Sequence, residues 1–347
     1  MRRPQGDANE RTMQEGLAQH NDASLRRDRR RHWLGLPVGQ PVEGSVAEIL
    51  KLLPHFGRQP FAMASVNGDD VGVNPFVDMV YRVAARQGEN SVPVGIVSKN
   101  YRLVDHHHVL RTVLDVLTES QIKLADVRVR AEWTVHGERA RFSLILPAED
   151  RFRIRLAESD EMRFRIEIFN SVEGSCRLMA VAGWLRFVCS NGLILGTALM
   201  QLRQQHRQQL EIEELGRLLR DALQSVPNDM ETVERWLSDV IDHGIVAHWV
   251  DEDVKKAWGL KAAVRVLGLV STGCDVEAVG ELKNRKPSDV ATRTLGPVVG
   301  MDGPVRQMFG VSQVLSWLAG QRAELSEDLE WRGQVPDLME KLSKHSE

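Results

Sequence analysis

The stretch from Val127 to Gly192 constrains this chain most, because apolar and polar residues alternate through it as they do on strands with one buried face. Val127, Val129, Ala131, Trp133 and Val135 share one parity, and Arg128, Arg130, Glu132, Thr134 and His136 take the other. His136-Gly137-Glu138 reads as a turn. After it Ala140, Phe142, Leu144 and Leu146 alternate with Arg139, Arg141, Ser143 and Ile145, which predicts an antiparallel return strand. Phe152, Ile154 and Leu156 against Arg151, Arg153 and Arg155 repeat the code, as do Phe164, Ile166 and Ile168 against Arg163, Arg165 and Glu167. The expectation is a curved antiparallel sheet with one apolar face.

If these strands share one sheet, its outer side collects Arg128, Arg130, Arg139, Arg141, Arg151, Arg153, Arg155, Arg163 and Arg165 into a basic platform. Guanidinium groups hold phosphate through a planar two-pronged fork. The competing reading is a solvated face in which Glu132, Glu138, Glu149, Asp150, Glu158, Asp160, Glu161 and Glu167 neutralise the arginines. The acids fall mostly in turns and the arginines at strand positions, which favours the platform.

A chain of 347 residues, 42% hydrophobic and 27% charged, is long enough for a sizeable core and for two domains. No apolar run reaches the roughly 20 residues of a membrane span. The N-terminus carries charge where a signal peptide has its apolar core, so a cytoplasmic protein without a membrane partner is expected. Cys176, Cys189 and Cys274 lack the paired spacing of a zinc site and are expected as reduced thiols. A formal net charge of -3 excludes a protein that coats nucleic acid with its whole surface, so any such binding uses a local patch.

Three regions are predicted: a disordered basic arm over residues 1–32, an α+β core with the arginine-rich sheet over 33–198, and a mainly helical region over 199–347. The overall class is α+β, an antiparallel sheet packed on helices. In the core, Val94, Ile96 and Val97 read as a strand, Ser98 to Tyr101 as a turn, and Asp105 as the N-cap of a helix carrying Val109, Leu110, Val113, Leu114 and Leu117. The triplet His106-His107-His108 falls in that helix's first turn, where three consecutive side chains diverge and do not converge on one metal. His243 and His248 splay for the same reason. Beyond the sheet, Leu199, Leu202, His206, Leu210, Leu215, Leu218, Leu219 and Leu223 have helical spacing. Val226-Pro227-Asn228 reads as a break before a second helix with Met230, Val233, Trp236 and Leu237. The loop Glu281 to Pro287 is basic. No Walker loop, dinucleotide fingerprint, zinc-ligand spacing or nucleophile elbow occurs, so neither a cofactor nor a metal is predicted.

Two motifs, the segment Val94-Gly95-Ile96-Val97-Ser98-Lys99-Asn100-Tyr101-Arg102 and the segment Arg186-Phe187-Val188-Cys189-Ser190-Asn191 followed by His206, resemble landmarks of the phage/plasmid-like proteins of domain-of-unknown-function family 932. Phe309 to Trp317 is similar to that family's closing helix, so the resemblance spans roughly Phe61 to Glu330. It implies mobile-element ancestry without a settled activity. Cys189, Asn191 and His206 are the catalytic candidates, since a thiol nucleophile needs a base and an orienting group near it. Against them, a cysteine in an apolar strand acts as a small hydrophobe, and Ser190-Asn191-Gly192 has turn composition.

The functional expectation is a nucleic-acid-binding protein of phage, plasmid or integrative-element origin, acting in DNA replication, recombination (strand annealing included) or defence. Its binding residues are Arg128, Arg130, Arg139, Arg141, Arg153, Arg155, Arg163 and Arg165, and backbone neutralisation is their task. Strandedness and homo-oligomerisation stay open. The alternatives are an enzyme using Cys189 and His206, or a protein-interaction module.

Overall fold

The computed structural model describes residues 32–33, 36–64, 71–86, 88–157, 160–176, 178–186, 191–193, 212–301 and 303–346. Nearly all of the arm, together with Cys189 and His206, lies outside the described residues. The order begins with β1 (His32–Trp33), β2 (Leu36–Pro37), β3 (Val42–Ser45), α1 (Val46–Leu52), β4 (Phe56–Ala64), β5 (Val71–Arg82), β6 (Val92–Ser98) and α2 (His106–Glu119). The alternating region supplies β7 (Arg128–Trp133), β8 (Arg139–Ile145), β9 (Arg153–Ala157), β10 (Asp160–Ser171), β11 (Met179–Arg186) and β12 (Asn191–Leu193). The remaining chain forms α3 (Ile212–Ser238), α4 (His243–Trp249), a π-turn (Val250–Val254), α5 (Lys255–Trp258), α6 (Leu260–Thr272), β13 (Cys274–Ala278), β14 (Thr292–Pro297), α7 (Met308–Gly320) and α8 (Leu325–Ser346).

The main sheet runs β12-β11-β10-β8-β7-β3, with β9 pairing β10 separately, and every pair in it is antiparallel. β4, β5 and β6 form a smaller sheet. The apolar parity behaves as the alternation predicts: Val127, Val129, Ala131, Ala140, Phe142, Leu144, Phe164, Ile166 and Ile168 are buried beneath Val109, Leu110, Val113 and Leu117 of α2. Val135 departs from this and is 64% exposed. The strand has already ended at Trp133, and Thr134 closes the turn by donating its N–H to Arg139 O and accepting from Gly137 N. Gly137 takes φ 77°, and a Cβ there would stand 2.5 Å from Pro54 Cγ, so the turn needs glycine.

One cluster of buried side chains runs from Val46 to Leu342, so the α+β part and the helical part share a core. One local expectation needs correction. α3 continues through Pro227, although a proline inside a helix costs about 3 kcal/mol and removes a donor. Leu215, Leu219, Ala222 and Val226 before it and Val233 and Trp236 after it are buried along one face, and that packing outweighs the local penalty. The C-terminal region also contains the β13–β14 hairpin, for which Glu281 to Pro287 is the connection. On α3, Asp229 is buried beside Trp184. Burial pushes its carboxyl up to about 7, and the Trp184 indole opposes this only in part. Among the described residues, no helix is long and apolar enough to cross a membrane.

Candidate nucleic-acid interface

Residues directly opposite on neighbouring strands share a face, so the register fixes where the arginines lie. Glu43, Arg130, Ser143, Glu167 and Val181 form one row across the sheet. Ser45, Arg128, Ile145, Arg165 and Gly183 form the next, and Glu132, Arg141, Phe169 and Met179 lie on the other side of the first. Arg153 stands opposite Arg163, and Arg155 opposite Glu161. The arginines therefore occupy one face, but Glu132 and Glu167 stand among them at strand positions.

One end of that face is closed. Arg141 donates to Glu167 at 2.7 Å, Ser143 Oγ donates to the same carboxylate at 3.0 Å, and Arg165 Nη1 lies 3.2 Å from it. The first turn of α8 carries Asp328 to 3.8 Å from Arg141, and Arg332, one turn later, donates to Asp328 at 2.5 Å. Arg139 pairs with Glu173 at 2.5 Å, and the Arg141 guanidinium lies over the Phe169 ring, 5.2 Å from its centre. Arg139, Arg141, Glu167, Asp328 and Arg332 are all buried. Sequence parity puts Arg139, Arg141 and Arg165 on the outer side, yet they do not meet solvent as a platform, because Asp328 and Arg332 of a helix far downstream close over Arg141 and Arg165 and Glu173 closes on Arg139.

The charges in this cluster set one another. Burial raises the Glu167 carboxyl, but Arg141, Arg165 and Arg332 outweigh burial and hold it far below the ordinary carboxylate range. Burial, with Arg332 and Arg141 as like neighbours, brings Arg165 down to about 10, against the pull of Glu167. For Arg141 burial works downward too, and Glu167, Asp328 and Glu132 reverse it. Arg141 and Arg165 both stay charged at neutral pH.

The other end is open. Arg128 and Arg155 are exposed and have no ion pair among the described residues. Arg130 is half exposed and reaches both Glu43 and Glu132 at 3.3 Å. Arg151 pairs with Glu149 at 2.9 Å, Arg153 with Asp150 at 2.5 Å and Arg163 with Glu161 at 2.8 Å. Lys283, Arg285 and Lys286 of the hairpin connection are exposed as well.

The motif residues hold the fold together. Tyr101 is buried, and its hydroxyl donates to Ser171 O at 3.2 Å across to β10. Arg58 donates to Asp78 at 2.5 Å and to the carbonyls of Tyr101 and Lys99 at 2.5 Å and 2.7 Å, clamping the turn after β6, and Lys99 also pairs with Asp78. Arg186 pairs with Asp160 and sits over Phe309. Asn191 opens β12 opposite Arg186, so of the three catalytic candidates only this backbone position falls within the described residues. Of the other cysteines, burial pushes the Cys176 thiol up to about 12, which keeps it an inert thiol.

The histidine triplet divides. Asp105 caps α2 by accepting from His107 N. His106 is fully buried: Nε2–H donates to Gly137 O at 2.7 Å and Nδ1 accepts from Asn170 Nδ2 at 2.9 Å. Burial brings its pKa down to about 4, so the ring is neutral. His107 points instead toward His55, a residue that no local pattern in the sequence connects with it.

Fold and site together define an α+β protein built on an antiparallel sheet with arginines along one face. Residues 93–265 match the model of the family described as Domain of unknown function (DUF932), which supports the family that the two motifs point to. The match contains both motif segments and ends within α6, short of the Phe61 to Glu330 span drawn from the motifs, so α8, which closes over Arg141, lies beyond it. No curated protein and no solved structure matches the chain.

Proposed function

We propose that this protein binds nucleic acid through the open end of its arginine face. The observation that supports the reading is the exposure of Arg128 and Arg155 without a salt bridge among the described residues, Glu48 acting on Arg128 only through its field, beside the partly compensated Arg130, Arg153 and Arg163. Arg163 lies two strands from Arg128, roughly 10 Å across the sheet and about 7 Å further along it, with Arg153 beside it, a spacing that a nucleic-acid backbone can span. The contacts are to the backbone and not to base edges, since the face offers few aromatic side chains for stacking. A phage, plasmid or integrative-element origin, a cytoplasmic setting and a role in replication, recombination or defence belong to the same proposal and rest on the resemblance of the motifs.

Fluorescence anisotropy with single- and double-stranded DNA over a salt series tests it. Arg128→Ala with Arg155→Ala is expected to weaken binding for every sequence and to reduce the salt slope by about two units on duplex, somewhat less on a single strand. Absence of salt-dependent binding by the unaltered protein, or an unchanged slope in the double variant, overturns the reading.

A second reading, a protein-interaction module, has its own observation. Met63, Val73, Phe76 and Ile96 are exposed on the small sheet, Phe76 by 77%. Light scattering after size exclusion separates the readings: an oligomer that Phe76→Ser dissociates, with no DNA binding, favours the second.

A further inference from the structure

The junction between the two sheets brings together three donors that are far apart in sequence. His55 follows α1 and precedes β4, while Asp105 and His107 sit at the start of α2. One ligand atom from each of the three lies within 4.8 Å of the others. His107 Nδ1 stands 3.1 Å from Asp105 Oδ1, and His55 Nδ1 stands 3.8 Å from Asp105 Oδ2. The two imidazoles are stacked, with centres 4.1 Å apart and planes within 1°.

Protons decide what this cluster is for. His107 Nε2 lies 3.1 Å from the carbonyl oxygen of Leu50. A carbonyl only accepts, so that nitrogen carries a hydrogen. In the neutral ring Nδ1 then bears a lone pair, and it faces a carboxylate oxygen that is also an acceptor. The 3.1 Å contact needs a positive centre between the two atoms, and either a second ring proton or a metal ion supplies one. The arrangement around them is the one that orients metal ligands: a histidine whose far N–H is held by a backbone carbonyl, and a carboxylate whose orientation is fixed by a backbone N–H. Asp105 Oδ1 accepts from His107 N at 3.1 Å, which supplies the second. The backbone of the third donor is held too, since His55 O accepts from Val83 N at 2.8 Å.

We infer that His55, Asp105 and His107 bind one first-row transition-metal dication, of which Zn2+ is the first to try. Donors shared by one such ion at ~2.0–2.2 Å stand roughly 3–4 Å apart, which the two short separations meet. The third closes when the exposed His55 ring turns out of its stack on His107, because two parallel rings do not hold one ion in both their planes. Two imidazoles and a carboxylate suit zinc, cobalt or nickel better than calcium or magnesium, which prefer oxygen donors. Three protein ligands on a site whose outer ligand is 70% exposed leave at least one coordination position to water. The ion ties the chain after α1 to the start of α2, so it stabilises the junction between the sheets whether or not the open position does chemistry.

The test uses the full-length protein, treated with EDTA and desalted. Zn2+ is titrated calorimetrically, and Co2+ is followed by its visible absorption, which reports coordination by imidazole and carboxylate. One ion per chain is expected, with a melting temperature that rises with Zn2+ concentration as linkage requires. His55→Ala, whose side chain carries little packing, should weaken binding at least tenfold. His107→Gln should do the same. His108→Ala, an exposed histidine in the same helical turn, should bind as the unaltered protein does. Failure of the unaltered protein to bind either ion, or tenfold-or-smaller differences confined to His107→Gln while His55→Ala binds at full strength, overturns the assignment. A His107 ring carrying both protons in nuclear magnetic resonance spectra of the zinc-treated protein does so too, because the proton would then be the positive centre.

Discussion

Arg141 and Arg128 lie on the same face of the same sheet, in the same alternating pattern and on adjacent strands, yet they live in different environments. Arg141 is shut beneath the first turn of α8 with Glu167 at 2.7 Å and Asp328 at 3.8 Å, whereas Arg128 stands in water. At the closed end every charge has an opposite within reach, because an unpaired buried ion costs several kcal/mol. At the open end an unpaired charge costs almost nothing, so cations there are free to serve a ligand. The closed arginines hold the architecture, and the exposed ones contribute little to it.

The largest expected effect that tests this contrast is Glu167→Ala. It leaves Arg141 and Arg165 facing each other around a lost carboxylate, and should cost about 3–5 kcal/mol in urea unfolding. A loss below about 1 kcal/mol would mean that water enters this end and that the two ends do not differ. Asp229 provides a buried carboxylate with no guanidinium beside it. Its folded pKa of about 7 lies above the unfolded value, so its burial is unpenalised below about pH 4 and stability falls as pH rises from about 4 to 7. Asp229→Asn should therefore match the unaltered protein near pH 4 and gain about 2–4 kcal/mol over it by pH 8. A pH-independent difference would show that this carboxyl is not protonated in the native state.

Glu167 has the opposite sign. Its folded pKa is depressed, so its contribution is complete above the unfolded carboxylate value of about 4.3 and is lost as pH falls below it. Acid unfolding followed by circular dichroism should be shallower below pH 4 in Glu167→Gln than in the unaltered protein. The smallest effect belongs to the open end, where Arg128→Ala should change stability by no more than about 0.5 kcal/mol. A larger loss would mean that Arg128 packs as the closed arginines do.

Parity was legible in the sequence, and solvent was not. Alternation is local, so Val129, Phe142 and Ile166 announce their burial, and Arg128, Arg141 and Arg165 announce their common face. Whether a helix covers that face depends on Asp328 and Arg332, and nothing within a strand reports on residues so distant. Asp105 was readable as an N-cap because capping involves neighbours along the chain. The divergence of three consecutive histidines was readable for the same reason, and His106 and His107 do point to different places. Their shared environment with His55 was not readable, since its fifty-residue separation is closed only by the packing of α1 and α2 around the sheet. Pro227 shows the reverse error, a local rule overruled by the buried face of the helix it interrupts.

The lid over Arg141 is also made long after the strand it covers. Asp328 is translated 187 residues after Arg141, an interval of ~10–40 s at ordinary synthesis rates of about 5–20 residues per second. From the completion of β10 until α8 arrives, the growing polypeptide leaves the Arg141 end of the face uncovered, with Glu167 the nearest counter-charge of Arg141. The nascent protein is thus a more cationic surface than the finished one, and whatever polyanion or chaperone meets it on the ribosome meets a different molecule from the one that is released.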